Sequence, residues 1–288
     1  MKNFSILHLM TLALLLASCA AIHLTPSKEI FPLTFTEDLF NSDLQFVYLN
    51  STNNPESDEL KQTYDIEAVS APGEDAFEKA LLLMNWTNSR WKHSGSNKPS
   101  DARAMTILAE AEEGQKFRCV EYGIVLRSVL SVIETPARTL GLKSRDVEET
   151  RLGAGHVAAE AWSEVHRKWF FMDAQFNVVP VLDSVPLNAV EFQEAIVSEK
   201  DFQLIDVNGE VDEKRRKKYL KFIAKYLYFF DFRFDQRDLP YEEMTLVYDK
   251  EALMLVPLEA ENPEVFQRNI KMDHLVYTHS LTDFYSKP

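Results

Sequence analysis

Cysteine is almost missing from this chain: of 288 residues, only Cys19 and Cys119 are cysteine. With Cys19 inside an N-terminal export segment, no internal disulfide can form, so packing alone must hold the fold and Cys119 remains an unpaired thiol. Paired Cys-x-x-Cys, His-Glu-x-x-His and runs of alternating carboxylates are also lacking, which argues against a metal site, and no cofactor is implied. The nucleophile elbow of serine hydrolases is absent too. Cations are in the minority, 31 against 45 acidic residues, for a net charge of −14. Phosphate recognition needs clustered Lys and Arg, so nucleic acid is not an expected partner.

What is present begins with an address. Lys2 supplies a positive n-region and Phe4 to Leu16 an apolar h-region, and Leu16-Ala17-Ser18-Cys19 follows at the cleavage position. The tetrapeptide matches the bacterial lipobox residue by residue. This predicts a signal peptide over 1–18 and a diacylated Cys19 as mature N-terminus; ordinary cleavage near Ala17 or Ala21, or a retained membrane span, is the alternative. Ser5, His8 and Thr11 break the apolar run, which falls short of the ~20 residues of a spanning helix. Acyl chains contribute about 0.8 kcal/mol per buried methylene, so such an anchor would be effectively permanent. Ala20, rather than aspartate, follows the cysteine. By resemblance to the sorting rule of Gram-negative lipoproteins, this implies the outer membrane.

Beyond the anchor the chain divides into a polar, punctuated region over 19–72, expected to be a tether with few irregular edge elements, a core over 73–182 and an α/β extension over 183–288. In the core, helical spacing predicts helices over 76–91 and 101–113, the latter stopped by Gly114, and over 119–133, where Pro136 limits continuation. Three strand-like runs follow, starting near Ala137, Gly155 and Trp169. Helices followed by a sheet give an α+β fold. In the extension, helices are expected over 187–199 and 212–230. The basic run 214–218 in the second reads as the solvated side of a helix whose apolar face carries Tyr219, Phe222, Ile223, Tyr226, Leu227 and Phe230.

Cys119 opens the third core helix, where the N-terminal dipole stabilises a thiolate. His156 heads the second strand and Asp173 closes the third. Taken singly, each has an ordinary explanation: a buried cysteine, a satisfied strand histidine and a turn aspartate. Their order and spacing, 37 and then 17 residues, mark them jointly as a Cys-His-Asp site. His93, beside Trp91, is the rival histidine.

These residues resemble the transglutaminase-like branch of the papain-fold cysteine enzymes. Cys119 at a helix start, Glu134-Thr135-Pro136-Ala137-Arg138 as the step into a strand, His156-Val157-Ala158-Ala159-Glu160 and Trp169-Phe170-Phe171-Met172-Asp173 correspond to its motifs. Ala174 where proline is frequent and Arg118 where a small residue is commoner depart from the pattern. The stretch from Trp86 to Gly95 further looks like envelope lipoproteins of this superfamily. The resemblance implies a papain/transglutaminase-like core, its cysteine-bearing central helix packed on an antiparallel sheet. It also implies action on an amide bond of a protein, peptide or peptidoglycan-derived substrate, as a peptidase, amidase or acyl transferase, with peptidase or amidase action favoured over protein cross-linking. Cys119 would be the nucleophile, His156 the acid and base, and Asp173 the group that orients the ring. One oxyanion donor can be the Cys119 N–H. For the second, transglutaminases suggest an indole, Trp91 ahead of Trp86, and papain-like enzymes a glutamine, here Gln115. A non-catalytic module that binds or scaffolds in the envelope is the alternative reading.

The site also sets a condition on the sheet. Direct opposition of His156 and Asp173 in a hairpin would put Glu160 near Trp169 and expel residues 162–167 from the ladder as a loop, whereas a tight turn at Arg167-Lys168 would separate the pair by some 20 Å.

Overall fold

The computed structural model describes residues 29–38 and 43–288. The signal segment and Cys19 lie outside the described residues. Among those described, no helix is long and apolar enough to cross a membrane.

Among the described residues, five helices precede the first strand: α1 (Ser57–Tyr64), α2 (Ile66–Ser70), α3 (Ala76–Arg90), α4 (Ala104–Glu112) and α5 (Cys119–Val132). Asp75 caps α3 by accepting from the Glu78 N–H, and Gly114 takes the left-handed φ of +94° that ends α4. Helices α1 and α2 correct the expectation of an irregular tether. Their Leu60 and Ile66 are fully buried against α3 and α5, so residues 57–70 belong to the core.

Strands β1 (Ala137–Lys143), β2 (Gly155–Ser163) and β3 (Lys168–Met172) form an antiparallel meander. There follow β4 (Val179–Leu182), β5 (Val185–Pro186), α6 (Ala189–Val197), β6 (Gln203–Asp206), β7 (Gly209–Glu210) and α7 (Glu213–Ile223). The chain ends with β8 (Phe229–Arg233), β9 (Ala252–Leu255), the small hairpin β10 (Val265–Phe266) and β11 (Ile270–Lys271), β12 (Leu275–Thr278) and α8 (Leu281–Phe284). The main sheet has the order β12-β9-β8-β1-β2-β3, antiparallel except for the β12·β9 pair. A second sheet runs β5-β4-β6-β7. The C-terminal part is therefore no appendage: it completes the central sheet with three of its six strands.

The period-two alternation of the strands gives the sheet two buried faces. Ala159, Ala161, Phe170 and Met172 meet the helices α1 to α5, while Ala158 and Phe171 meet Phe192 of α6, Tyr219 of α7 and Phe284 of α8. On this second face lies a fully buried ion pair: Arg138 donates from Nε and Nη2 to Glu160 Oε2 at 3.0 and 2.6 Å. The guanidinium also donates to the Phe284 carbonyl at 2.8 Å and lies 3.9 Å from the Phe232 ring centre. Glu160 Oε1 accepts the Ala189 N–H at 2.9 Å, so the pair joins the meander to α6 and to the chain terminus.

Two departures from expectation concern register and helix length. The β2·β3 ladder opposes Trp162 to Trp169 and continues to Ser163 and Lys168, with Arg167 at φ +51° in the turn. The expected loop over 162–167 is thus shorter, and Glu160 faces Phe171 instead of Trp169. The helix expected over 212–230 ends at Ile223, passes through a short 3-10 turn and becomes β8, because the aromatic run from Tyr226 to Phe230 suits a pleated strand with neighbours on both faces.

Candidate active site

The first turn of α5 is fixed from two sides. The Arg118 N–H donates to the buried Glu121 carboxylate at 2.9 Å, and the Arg118 side chain pairs with that carboxylate. Arginine before the cysteine thus neutralises the acid of the first turn. Along the helix, Gly123 lies against the sheet, where an added Cβ would stand 3.1 Å from the Ala158 carbonyl oxygen and 3.2 Å from the Val157 side chain. A side chain there would have to push its neighbours back by a few tenths of an ångström, so glycine suits this close approach of α5 to β2. Cys119, half-buried, is placed by that contact.

The extended β2·β3 register places Asp173 opposite Ala158, two residues from His156, and a displacement of two keeps both on one face. Diagonal placement suffices: His156 Nε2 and Asp173 Oδ2 are 2.9 Å apart, both side chains buried. The other ring nitrogen, Nδ1, is left for the thiol. Burial pushes the His156 pKa down, but the charge and hydrogen bond of Asp173, joined by the hydrogen bond and charge of Cys119, push it up to about 9. The structure therefore brings Cys119, His156 and Asp173 together. His93 does not replace His156: it is exposed, and partial desolvation, with the charge of His156, lowers its pKa.

After the aspartate, Ala174 is held by its carbonyl, which accepts from Asn88 Nδ2 at 2.8 Å. Asp173 itself is pinned by a backbone bridge to Val178, and its Oδ1 accepts the Phe176 N–H at 3.2 Å.

Sequence reasoning missed the roof. Tyr219 of α7 donates its hydroxyl to Asp173 Oδ2 at 2.9 Å. The Phe222 and Tyr226 rings lie 5.1 and 6.0 Å from the His156 ring. Tyr226 also feels Cys119: burial, then the charge of the cysteine, pushes its phenol up to about 12. The signal that could have found them is the choice of tyrosine, with a polar tip, at two positions of an otherwise apolar helix face.

Of the oxyanion candidates, Trp91 is buried with its indole N–H unpartnered, and its ring lies 4.5 Å from that of Tyr122, one turn beyond Cys119. Gln115 is exposed, its side chain engaged by Asn97 at 3.4 Å. Trp86 packs against Tyr64 instead. An unsatisfied buried donor calls for an acceptor, which makes Trp91 the stronger candidate. No cluster of His, Cys, Asp and Glu able to hold a metal occurs among the described residues.

The raised His156 pKa has a linkage consequence. A group protonated more readily when folded stabilises the fold fully below its unfolded pKa and loses that contribution as pH rises through the folded value. Thermal stability is expected to fall between about pH 6.5 and pH 9, with a shallower fall in His156→Ala. Melting curves across this range check it, and parallel slopes for the two proteins would contradict it.

Residues 64–174 match the family model of the transglutaminase-like superfamily. Two solved structures show partial likeness. One is a proposed cysteine protease from Cytophaga hutchinsonii, at 16% identity and a TM-score of 0.34, covering 43% of this chain and 39% of that one. The other is a proposed protease from Parabacteroides distasonis, at 11% identity and 0.31, covering 56% and 28%. The chain thus spans well under half the length of either. No curated protein matches it. The matched segment spans the α5 helix and the antiparallel meander on which it packs, and over residues 64–174 the chain is transglutaminase-like.

Proposed function

We propose that the protein is a lipid-anchored cysteine enzyme that attacks an amide bond through Cys119, His156 and Asp173. The observation that carries this reading is the buried His156, bonded to Asp173 at 2.9 Å and raised to about 9 partly by Cys119. A charged ring beside the sulfur is the partner a nucleophilic thiolate needs.

The sulfur of Cys119 attacks the carbonyl carbon, and a sulfur–carbon bond forms while the carbonyl oxygen takes the electron pair. The Cys119 N–H and the Trp91 indole N–H are the donors available to that oxyanion. The carbon–nitrogen bond then breaks, the amine leaves with a proton from His156, and a thioester remains. Water, or a second amine, deacylates it, with His156 now accepting the proton. Tyr219 and the Phe176 N–H hold the Asp173 carboxylate so that the ring keeps its orientation throughout. Peptidase or amidase action is favoured over cross-linking, on peptide or peptidoglycan-derived amides. The direct test is intact mass spectrometry of protein incubated with peptidyl p-nitroanilides: a thioester adduct on Cys119, absent from Cys119→Ala, supports the reading.

Anchoring through Cys19, on the outer membrane, is part of the same proposal; it rests on the lipobox residues. Metabolic palmitate label is expected to follow Cys19, and Cys19→Ala to release the protein from membranes. Retention of the labelled variant in the membrane fraction would contradict the anchor without touching the chemistry.

A further inference from the structure

A cleft of about 740 Å³ shares its walls with the Cys119 site: Tyr122 lies one turn beyond the cysteine, Phe176 lies over His156, and Tyr219 holds Asp173. Its charge is opposite to that of the molecule. In a protein of net charge −14, the residues lining this cleft include no aspartate or glutamate, yet Lys92, His93, Arg215 and Lys218 all line it. Arg215 is occupied, pairing with Asp206 and donating to the Phe176 and Asn177 carbonyls at 2.9 and 2.7 Å. Lys92 and Lys218 are different: both are exposed, and neither has an ion-pair partner among the described residues. Lys218 belongs to the basic run whose lysines were expected to serve only as a solvated helix side. The cleft also holds buried polar atoms that nothing in the protein satisfies, the Trp91 indole N–H and Asn177 Oδ1, on residues that are each only 7% exposed. The unpartnered indole N–H and amide oxygen suit the C=O and N–H of a peptide-like guest, and the uncompensated ammonium groups beside them suit an anionic group on it.

We infer that this cleft selects an amide substrate carrying a carboxylate near the bond to be cleaved, held by Lys92 and Lys218. The inference rests on Cys119 being the nucleophile, and it names the class of substrate that nucleophile serves. Two free ammonium groups in a concave wall focus the field on an anion that the rest of the surface repels. The carboxylate can be an acidic side chain or a free C-terminus, and the two sources are separable by experiment.

The test uses iodoacetylated tripeptides, C-terminal amides except where stated, that alkylate Cys119: sulfur bonds to the methylene carbon, and iodide leaves with the electron pair. One probe has a central glutamate, a second a central glutamine, and a third a central glutamine with a free C-terminal carboxylate. Plain iodoacetamide reports the intrinsic reactivity of the thiol. At low salt, one or both anionic probes should react about tenfold faster than the neutral tripeptide. Whichever does so identifies the carboxylate source. The advantage should shrink to within twofold in the Lys92→Gln/Lys218→Gln double variant, and again in 0.5 M salt, while the iodoacetamide rate stays unchanged. Equal rates for all three tripeptides on the native protein would overturn the inference, as would an advantage that survives in the double variant. A sluggish iodoacetamide reaction would instead count against the nucleophile, leaving the ratio of anionic to neutral rates readable.

Discussion

His156→Ala is expected to form the Cys119 thioester about 100- to 10,000-fold more slowly than the native protein, the range a positioned acid–base group contributes. The ring has two tasks, keeping a positive charge beside the sulfur and protonating the departing amine, and no neighbour can take over both. His93 is exposed with a lowered pKa, and Tyr226, pushed up to about 12, keeps its proton. Asp173 would stay bonded to Tyr219 and the Phe176 N–H, so the variant should fold. Initial rates of thioester formation, read by mass, check the prediction alongside a melting curve. A loss of less than threefold in a folded variant would show that His156 is a structural partner of Asp173 and no more.

Arg138→Met is expected to cost about 3–5 kcal/mol of stability, the penalty for breaking a buried ion pair from one side. Glu160 would keep its carboxylate in a fully buried position with no cation, while the Phe232, Trp169 and Phe284 rings would lose the guanidinium they surround. The position is consequential because β1, β2, α6 and the chain end all meet there. Removing both charges, as Arg138→Met/Glu160→Leu, should be less damaging than the single change, although the Ala189 N–H then loses its acceptor. Urea denaturation of the three proteins decides: a loss below 1 kcal/mol for Arg138→Met would mean that packing alone holds this junction.

Much of the site could be read from local sequence because the residues that build it act locally. Asp75 and Gly114 mark helix ends, Pro136 stops α5, and alternation along β2 and β3 sorts His156, Glu160 and Asp173 onto one face. The register was harder. The chain alone suggests direct opposition of His156 and Asp173, whereas a diagonal pair closes the 2.9 Å contact with a longer ladder and a shorter turn. What the chain did not disclose depends on distant partners. Strand β8 emerges from a run whose apolar residues fit a helix, and its strand identity comes from pairing with β1 and β9. Helices α1 and α2 lie in a polar stretch and are held by only a few buried residues, Leu60 and Ile66 foremost. Tyr219 and Lys218 are neighbours in sequence, yet one holds Asp173 and the other lines the cleft, roles visible only once α7 is docked.

The central claim, that His156 makes Cys119 a nucleophile, is tested most directly by the rate of iodoacetamide alkylation between pH 5.5 and pH 9. With Cys19 acylated or removed, Cys119 is the one thiol left to report. Because His156 keeps its proton up to about pH 9, the rate at pH 6 should lie within about tenfold of that at pH 9. In His156→Ala the pH 6 rate should fall about 100-fold. A native rate that climbs with pH as for an ordinary thiol, and that His156→Ala leaves unchanged, would contradict the account.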